Sequence, residues 1–146
     1  MQRVRAIIVA SGSVALIERH RDDRHYFVFP GGGQEAGETP HEALIREVME
    51  ETGALIEVGQ EVARVTFPDH IQRFYLASIR GGEFGIGTGP EYTDPACSNR
   101  SSYRPVWFPV THVNETPVYP QGVAALIVNA QEAGWDEEPA LLTDDS

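Results

Sequence analysis

Three glutamates in the first half of the chain have a spacing that can bind a divalent cation. Glu47, Glu50 and Glu51 follow a glycine-rich turn, in a segment with helical periodicity. At about 100° per residue, Glu50 falls near −60° and Glu51 near +40° from Glu47, so the three carboxylates share one face. Carboxylates at this spacing repel by about 0.2–0.5 kcal/mol per pair, yet carboxylate oxygens are what hard divalent cations prefer as ligands. This glutamate face is therefore either a solvated surface or a metal site.

The helix that carries the glutamate face has recognisable ends. Thr39 is a suitable N-cap, Pro40 suits the first helical position, and Glu42 completes a Thr-x-x-Glu capping box. Gly53 provides the usual left-handed stop. The apolar side chains between positions 44 and 52 fall on the other side of the helix. This pattern predicts a helix with one packing face and one acidic face.

Segments rich in β-branched and aromatic residues predict strands on both sides of this helix. These segments are Val4–Val9, Val14–Glu18, His25–Phe29, Leu55–Val58, Glu61–Phe67, His70–Ile79 and Arg104–Val110, and a second helix is predicted over Gly122–Ala133. This order indicates an α/β or α+β fold, a layered sheet with helices packed on it. We expect one domain over residues 1–136 and a loose acidic tail over residues 137–146.

A long segment without clear periodicity, Gly81–Ser102, holds five glycines, two prolines and three carboxylates, which belong to Glu83, Glu91 and Asp94. A loop of this length in a compact domain is usually functional or disordered. The three carboxylates are therefore either solvated loop acids or a supplement to the glutamate face.

Composition limits the classes of function that remain. The chain has 146 residues, of which 41% are hydrophobic and 23% charged, as in ordinary globular domains. The net charge of −11 argues against binding the backbone of a nucleic-acid polymer. No apolar run is long enough to span a bilayer. The single cysteine, Cys97, and the absence of a signal-peptide pattern lead us to expect a reducing cytoplasm.

The glycine turn and the glutamates together form a pattern with seven fixed residues. It is Gly32-x5-Glu38-x7-Arg46-Glu47-Val48-x-Glu50-Glu51-x-Gly53. This segment resembles the signature box of the Nudix hydrolases, although its last position is Ala54 where the family has a bulkier aliphatic residue. The resemblance implies a mixed sheet sandwiched between helices. It also implies hydrolysis of a nucleoside diphosphate linked to another group, with Mg²⁺ or Mn²⁺ as cofactor.

The resemblance also implies roles for individual residues. Glu50 is either a metal ligand or the base that activates water, and Arg46 either orients a glutamate or forms a simple surface pair. Glu38 interacts either with N–H groups at the start of the helix, which is a structural role, or with a metal-bound water. Among the loop carboxylates Glu91 is the first candidate, ahead of Glu83 and Asp94. We predict that the catalytic residues are Glu50, Arg46 and Glu91. The predicted metal ligands are Glu47, Glu51, Glu50 and the Gly31 carbonyl. The residues predicted to bind the substrate are Gly32, Gly33, Glu38, Arg19 and Phe27.

The sequence says less about the substrate. Pro68 lies 14 residues after Ala54, one short of the spacing that resembles the ADP-ribose branch. The tyrosine of the dinucleoside-polyphosphate branch has no counterpart, because His70, Ile71 and Gln72 occupy those positions. We expect a (deoxy)nucleoside triphosphate or another small nucleotide as substrate, with an ADP-ribose or nucleotide-sugar hydrolase, or a non-catalytic nucleotide sensor, as alternatives. The resemblance also allows a homodimer, and no membrane partner is expected.

Overall fold

Two helices lie in the part of the chain that the computed structural model describes, residues 2–85 and 101–145. Helix α1 spans Pro40–Thr52 and carries the predicted capping box, in which the Thr39 side chain accepts from the Glu42 backbone and the Glu42 side chain accepts from the Thr39 backbone. Gly53 ends α1 with φ 81°. Helix α2 spans Gln121–Ala133. Neither helix is long and apolar enough to cross a membrane.

The first sheet has five strands and mixes parallel with antiparallel pairing. Its order is β10 (Ala140–Thr143), β6 (Ala54–Thr66), β7 (Ile71–Gly82), β1 (Gln2–Ile7) and β5 (Gly31–Gly33). Strands β10 and β1 run parallel to their partners β6 and β7, whereas the β6–β7 and β1–β5 pairs are antiparallel. The short strand β5 lies at the edge of this sheet, and its residues are the three glycines of the predicted turn.

The second sheet is built around one long strand, β3. Strand β3 (Ser13–Arg21) pairs with β2 (Val9–Ala10), β4 (Arg24–Val28) and β8 (Ser101–Pro109), all antiparallel. The short β9 (Val118–Tyr119) pairs in parallel with β4, and a 3-10 turn, Val110–His112, follows β8.

Two hydrophobic cores hold the helices against the sheets. Leu44 and Val48 of α1 pack in one core with Val4, while Val123 and Ile127 of α2 pack in the other. Because side chains alternate along a strand, β1 and β3 each contribute to both cores. The predicted α/β arrangement, a mixed sheet between helices, is therefore confirmed.

Three local expectations were wrong, each for a reason that involves distant pairing. Leu55–Val58 and all of Glu61–Phe67 except its last residue belong to one strand, β6, which is interrupted only by register shifts against β7. The glycine turn is partly strand, because Gly31–Gly33 pair with β1. The tail over 137–146 is not loose throughout, since Ala140–Thr143 form β10 against β6.

Candidate active site

The glutamate face of α1 forms as the helical spacing predicts, but its three carboxylates have different environments. Glu51 is 7% exposed, whereas the side chains of Glu47 and Glu50 are 19% and 37% exposed. The face thus runs from a buried carboxylate to one that water reaches readily. Such a gradient suits a site in which one carboxylate is fixed and another exchanges protons with solvent.

Arg46 holds this face in place by contacting several separate groups at once. Its guanidinium makes a fork with Glu38, with Nε to Oε2 at 2.7 Å and Nη2 to Oε1 at 3.0 Å. Nη1 donates to Glu47 Oε1 at 3.1 Å and lies 3.5 Å from Glu50, and Nη2 also donates to the Gly33 carbonyl at 3.2 Å. Paired donors on a carboxylate fix orientation as well as charge. Arg46 therefore connects the helix to β5 and to the segment before the helix.

Strand β5 approaches α1 so closely that its residues touch the carboxylates. The Gly31 N–H donates to Glu51 Oε1 at 2.6 Å. A Cβ built on Gly32 would lie 2.5 Å from Glu47 Oε2, closer than any real side chain tolerates. Gly32 is thus needed because a side chain at this position would occupy the space of the Glu47 carboxylate. The predicted link between the glycine turn and the glutamate face has this contact as its physical basis.

Arg5 is a site residue that sequence reasoning missed. Its Nη1 donates to the carbonyls of Phe29 at 3.2 Å and Gly31 at 3.1 Å, and its Nε donates to Gln72 Oε1 at 3.3 Å. Burial lowers the pKa of Arg5, while the nearby carboxylates of Glu51 and Glu47 raise it. The available signal was an arginine within an otherwise apolar strand, VRAII, since a charge in such a position usually has a buried partner.

The electrostatics of Glu47 fit a cation site. Burial raises the pKa of Glu47, Arg46 lowers it, and the neighbouring Glu50 raises it again. A carboxylate that is partly desolvated beside another carboxylate is stabilised in its charged form by a bound cation. The donor set of the glutamate face consists of carboxylate oxygens, which is the hard-oxygen chemistry that Mg²⁺ and Mn²⁺ prefer. The residues present therefore fit a divalent cation of this kind.

The fork between Arg46 and Glu38 predicts a specific dependence of stability on pH. The hydrogen bonds from Arg46, and after them one from the Glu35 backbone, lower the pKa of Glu38 from 4.5 to about 2. A carboxyl group whose pKa is lower in the folded state stabilises the fold above its unfolded pKa, and this contribution is lost as pH falls. We expect Glu38→Gln to be less stable than wild type at neutral pH, with the difference shrinking between pH 4.5 and 2. Urea unfolding across this range measures it.

The matched control for that experiment is Glu132→Gln, on the exposed side of α2. Its stability relative to wild type should not follow the same pH curve. A Glu38→Gln difference that stayed constant from pH 7 to pH 2 would contradict the role of the fork.

Beside Arg5 lies a pocket of about 330 Å³. Its walls include the rings of Phe67, Phe74 and Tyr119, together with the polar side chain of Gln72. A pocket with aromatic walls and a few polar groups is typical of small-molecule sites. Because Arg5 donates to the Gly31 carbonyl and the Gly31 amide donates to Glu51, only two hydrogen bonds separate the pocket wall from the glutamate face.

The remaining predicted residues are placed less uniformly. Arg19 lies on β3 with its guanidinium carbon 3.9 Å from the centre of the Tyr103 ring. Phe27 is 7% exposed and packs in the α2-side core, 5.0 Å from the ring of Phe108. The structure thus does not bring Phe27 to the glutamates.

The loop carboxylates are only partly described. Glu91 and Asp94 lie outside the described residues. Glu83 follows β7, and its backbone N–H donates to the Gly53 carbonyl at 2.9 Å, next to the end of α1. The loop therefore leaves β7 close to the helix that carries the glutamate face, and the predicted role of Glu91 stays a prediction.

Comparisons with known proteins show what the chain is similar to. A family model described as NUDIX domain matches residues 1–126. An ADP-ribose pyrophosphatase of Methanocaldococcus jannaschii is 36% identical over 91 residues, 58% of this chain and 54% of that protein. A putative 8-oxo-dGTP diphosphatase of Bacillus subtilis is 32% identical over 80 residues, 53% of each. The chain thus spans about half the length of these curated relatives.

Solved structures match over nearly the whole chain. The crystal structure of a NUDIX hydrolase from Nitrosomonas europaea superposes with a TM-score of 0.73 at 17% identity, covering 98% of this chain and 78% of that one. Similarity at this level of identity supports the fold, and it agrees with the mixed sheet between helices described above.

Proposed function

The chain belongs to the Nudix family, and on that premise we propose that it hydrolyses a pyrophosphate bond in a nucleoside diphosphate linked to another group. Mg²⁺ or Mn²⁺ is the proposed cofactor. The observation that carries this proposal is the glutamate face of α1, which Arg46 and the backbone of β5 hold in place. A solvated acidic surface would need neither the buried Glu51 nor the glycine contact with Glu47.

In this proposal Glu47, Glu51 and Glu50, with the Gly31 carbonyl, would hold the divalent cation. When bound, the cation neutralises phosphate charge and polarises a phosphoryl oxygen. The Gly31 amide fixes one oxygen of Glu51 and so orients the other. Arg46 keeps Glu47 from turning away from the face. Glu50 is the most exposed of the three, which suits either a ligand or the group that accepts a proton from the attacking water.

The pocket beside Arg5 is the proposed site for the nucleoside. Its rings can stack on a base, and Gln72 can form hydrogen bonds with its edge. Arg5 would then position the pocket relative to the glutamate face, since it contacts both β5 and Gln72. Of the two predicted roles of Glu38, the structural one is favoured, because both its oxygens accept from Arg46.

For the substrate we favour a (deoxy)nucleoside triphosphate or another small nucleotide derivative. The Bacillus subtilis relative, named as a putative 8-oxo-dGTP diphosphatase, supports this choice. ADP-ribose or a nucleotide sugar is the second candidate, supported by the name of the Methanocaldococcus jannaschii relative and by Pro68, which directly follows the pocket residue Phe67. The non-catalytic alternative is a nucleotide sensor, which would bind a nucleotide without hydrolysing it.

The net charge of −11 supports a small substrate over a nucleic-acid polymer. The single cysteine favours a cytoplasmic location. This location and a homodimer both stay predictions.

The test of this proposal is product release from a panel of nucleotides with Mg²⁺, with Mn²⁺ and with neither. The panel contains triphosphates, oxidised triphosphates, ADP-ribose, nucleotide sugars and dinucleoside polyphosphates. We expect turnover that requires the cation and falls at least about 100-fold in Glu50→Gln, because a proton acceptor or ligand is lost. Glu42→Gln is the matched control, since Gln preserves the capping box and the residue lies off the glutamate face.

The two variants also separate the alternatives. Binding of a panel member without turnover in wild type would move the assignment to a sensor. Equal turnover in Glu50→Gln and Glu42→Gln would place the chemistry elsewhere.

A further inference from the structure

A second group of potential metal ligands lies on the other sheet, in the hairpin formed by β3 and β4. Glu18 and His20 are two residues apart on β3, so their side chains leave the same face of the strand. His25 on β4 is paired directly with His20, which places the two imidazoles side by side. We call Glu18, His20 and His25 the imidazole cluster.

The imidazole cluster faces away from the glutamates. On β3, Val14 and Leu16 belong to the core on the α2 side, while Ala15 belongs to the core on the α1 side. Side chains alternate, so Glu18 and His20 continue the Val14 and Leu16 face. The cluster is therefore on the opposite side of the sheet from the glutamate face.

The ligand atoms of the imidazole cluster are spaced nearly as they would be around a bound metal ion. One ligand atom from each of the three side chains lies within 4.8 Å of the others. His25 Nε2 is 2.7 Å from Glu18 Oε2, and the two imidazole rings stack with centroids 4.1 Å apart and an interplanar angle of 6°. Ligands about 2.0–2.2 Å from a tetrahedral zinc ion are about 3.3–3.6 Å apart. The separations in the cluster, from 2.7 Å to at most 4.8 Å, extend to both sides of this range, and both histidines are exposed.

One ligand of the cluster is already held in position. Arg104 Nε donates to Glu18 Oε1 at 3.0 Å, and its Nη2 contacts the same oxygen. The side chain of Glu18 is only 11% exposed. Oε1 is thus engaged by the guanidinium, and Oε2 contacts His25. A carboxylate that is already held in place loses little further conformational freedom when it binds an ion.

The charges of the cluster select the kind of cation. Arg104 balances the charge of Glu18, so the cluster offers two imidazole nitrogens and one carboxylate oxygen without the strong negative field that attracts Mg²⁺. Imidazole nitrogen is the preferred ligand of borderline ions such as Zn²⁺, Ni²⁺ and Cu²⁺. We propose that Glu18, His20 and His25 form a binding site for a divalent transition-metal cation of this class, separate from the glutamate face.

Calorimetric titration of the full chain with Zn²⁺ tests the proposal. The background variant is Glu47→Gln/Glu51→Gln, which removes two glutamates that would also take up zinc. We expect this variant to retain one zinc site. Adding His20→Ala or His25→Ala should weaken the affinity at least about tenfold, since even residues that only support metal ligands typically cost 10–100-fold. His112→Ala is the matched control, because His112 also lies near a carboxylate, Glu115, at 3.7 Å.

A second measurement does not depend on variants that fold. In wild-type protein, the chemical shifts of the His20 and His25 ring signals in nuclear magnetic resonance spectra should change together as Zn²⁺ is added. The change should stop once each cluster has bound one zinc ion. The signals of His112 should stay in place. Zinc affinity unchanged in both His20→Ala and His25→Ala, or ring signals that do not respond, would overturn the proposal. Because neither readout involves nucleotide turnover, the result is independent of the proposed hydrolase activity.

Discussion

Replacing Glu47 and Glu51 together by Gln is expected to reduce nucleotide hydrolysis by about 10³-fold or more. Loss of a metal-centred charge stabilisation worth several kcal/mol corresponds to a rate change of this order. The same double variant is expected to lose the stabilisation that Mg²⁺ or Mn²⁺ gives to the fold. In wild type, a cation at 100 times its dissociation constant stabilises the folded state by about 2.7 kcal/mol.

The two effects have one structural cause. Glu51 is nearly buried and anchored by the Gly31 amide, and Glu47 is pressed against Gly32. Without a cation, the partly desolvated Glu47 carboxylate lies next to Glu50, which raises its pKa. Removing two of the three charges relieves this repulsion, but it also removes the charges that face the buried Arg5, so the readout is the gain in stability on adding metal and not the stability of the apo form.

Thermal unfolding with and without the cation, followed by the nucleotide assay, measures both effects. Glu42→Gln on the same helix serves as the control and should keep the full response to metal. A double variant that still gained the wild-type stabilisation from Mg²⁺ would show that the cation binds elsewhere.

Local patterns were sufficient to predict helix α1 and its acidic face. The capping residues Thr39 and Glu42, the stop at Gly53 and the 3.6-residue period all depend on neighbours in sequence. The position of the three glutamates follows from that period alone. These features were therefore visible before any tertiary contact was known.

Contacts between distant segments could not be read in this way. Strand β10 exists because Ala140–Thr143 pair with β6, more than 70 residues earlier. Its sequence does not alternate apolar with polar residues, because the exposed position is occupied by Leu141. Arg5 and Gln72 meet only because β1 and β7 are parallel neighbours. Pairing of this kind depends on the whole topology, which local propensity does not encode.

Substitution of the three consecutive glycines of β5 by Ala is expected to give three different results. Gly31→Ala should destabilise the fold by roughly 3–5 kcal/mol, a large part of the stability of a domain. Gly31 has φ 144°, and a Cβ there would lie against the Val4 carbonyl. Since both are backbone constraints, relief requires β5 to separate from β1, and the bond from Gly31 to Glu51 is then lost too.

Gly32→Ala should instead leave the fold nearly intact and damage the site. The group that its Cβ meets is the end of the flexible Glu47 side chain, which can swing away from the glutamate face. A displacement of about 1 Å in a reacting group can cost about 10²-fold in rate. Gly33→Ala is the internal control, because nothing lies within 4 Å of its Cβ, and we expect wild-type stability and activity.

Urea unfolding and the nucleotide assay on the three variants distinguish a structural strand from one that shapes the site. Loss of stability only in Gly31→Ala, with loss of activity in Gly32→Ala at unchanged stability, would mean that β5 both holds the sheet edge and sets the position of Glu47. If Gly32→Ala were as active as Gly33→Ala, the contact with Glu47 would have no part in catalysis, and the glycines would be required by β-sheet geometry alone. Each of the three variants differs from wild type by one added methyl group in the same strand, so neither charge nor helix propensity can account for a difference between them.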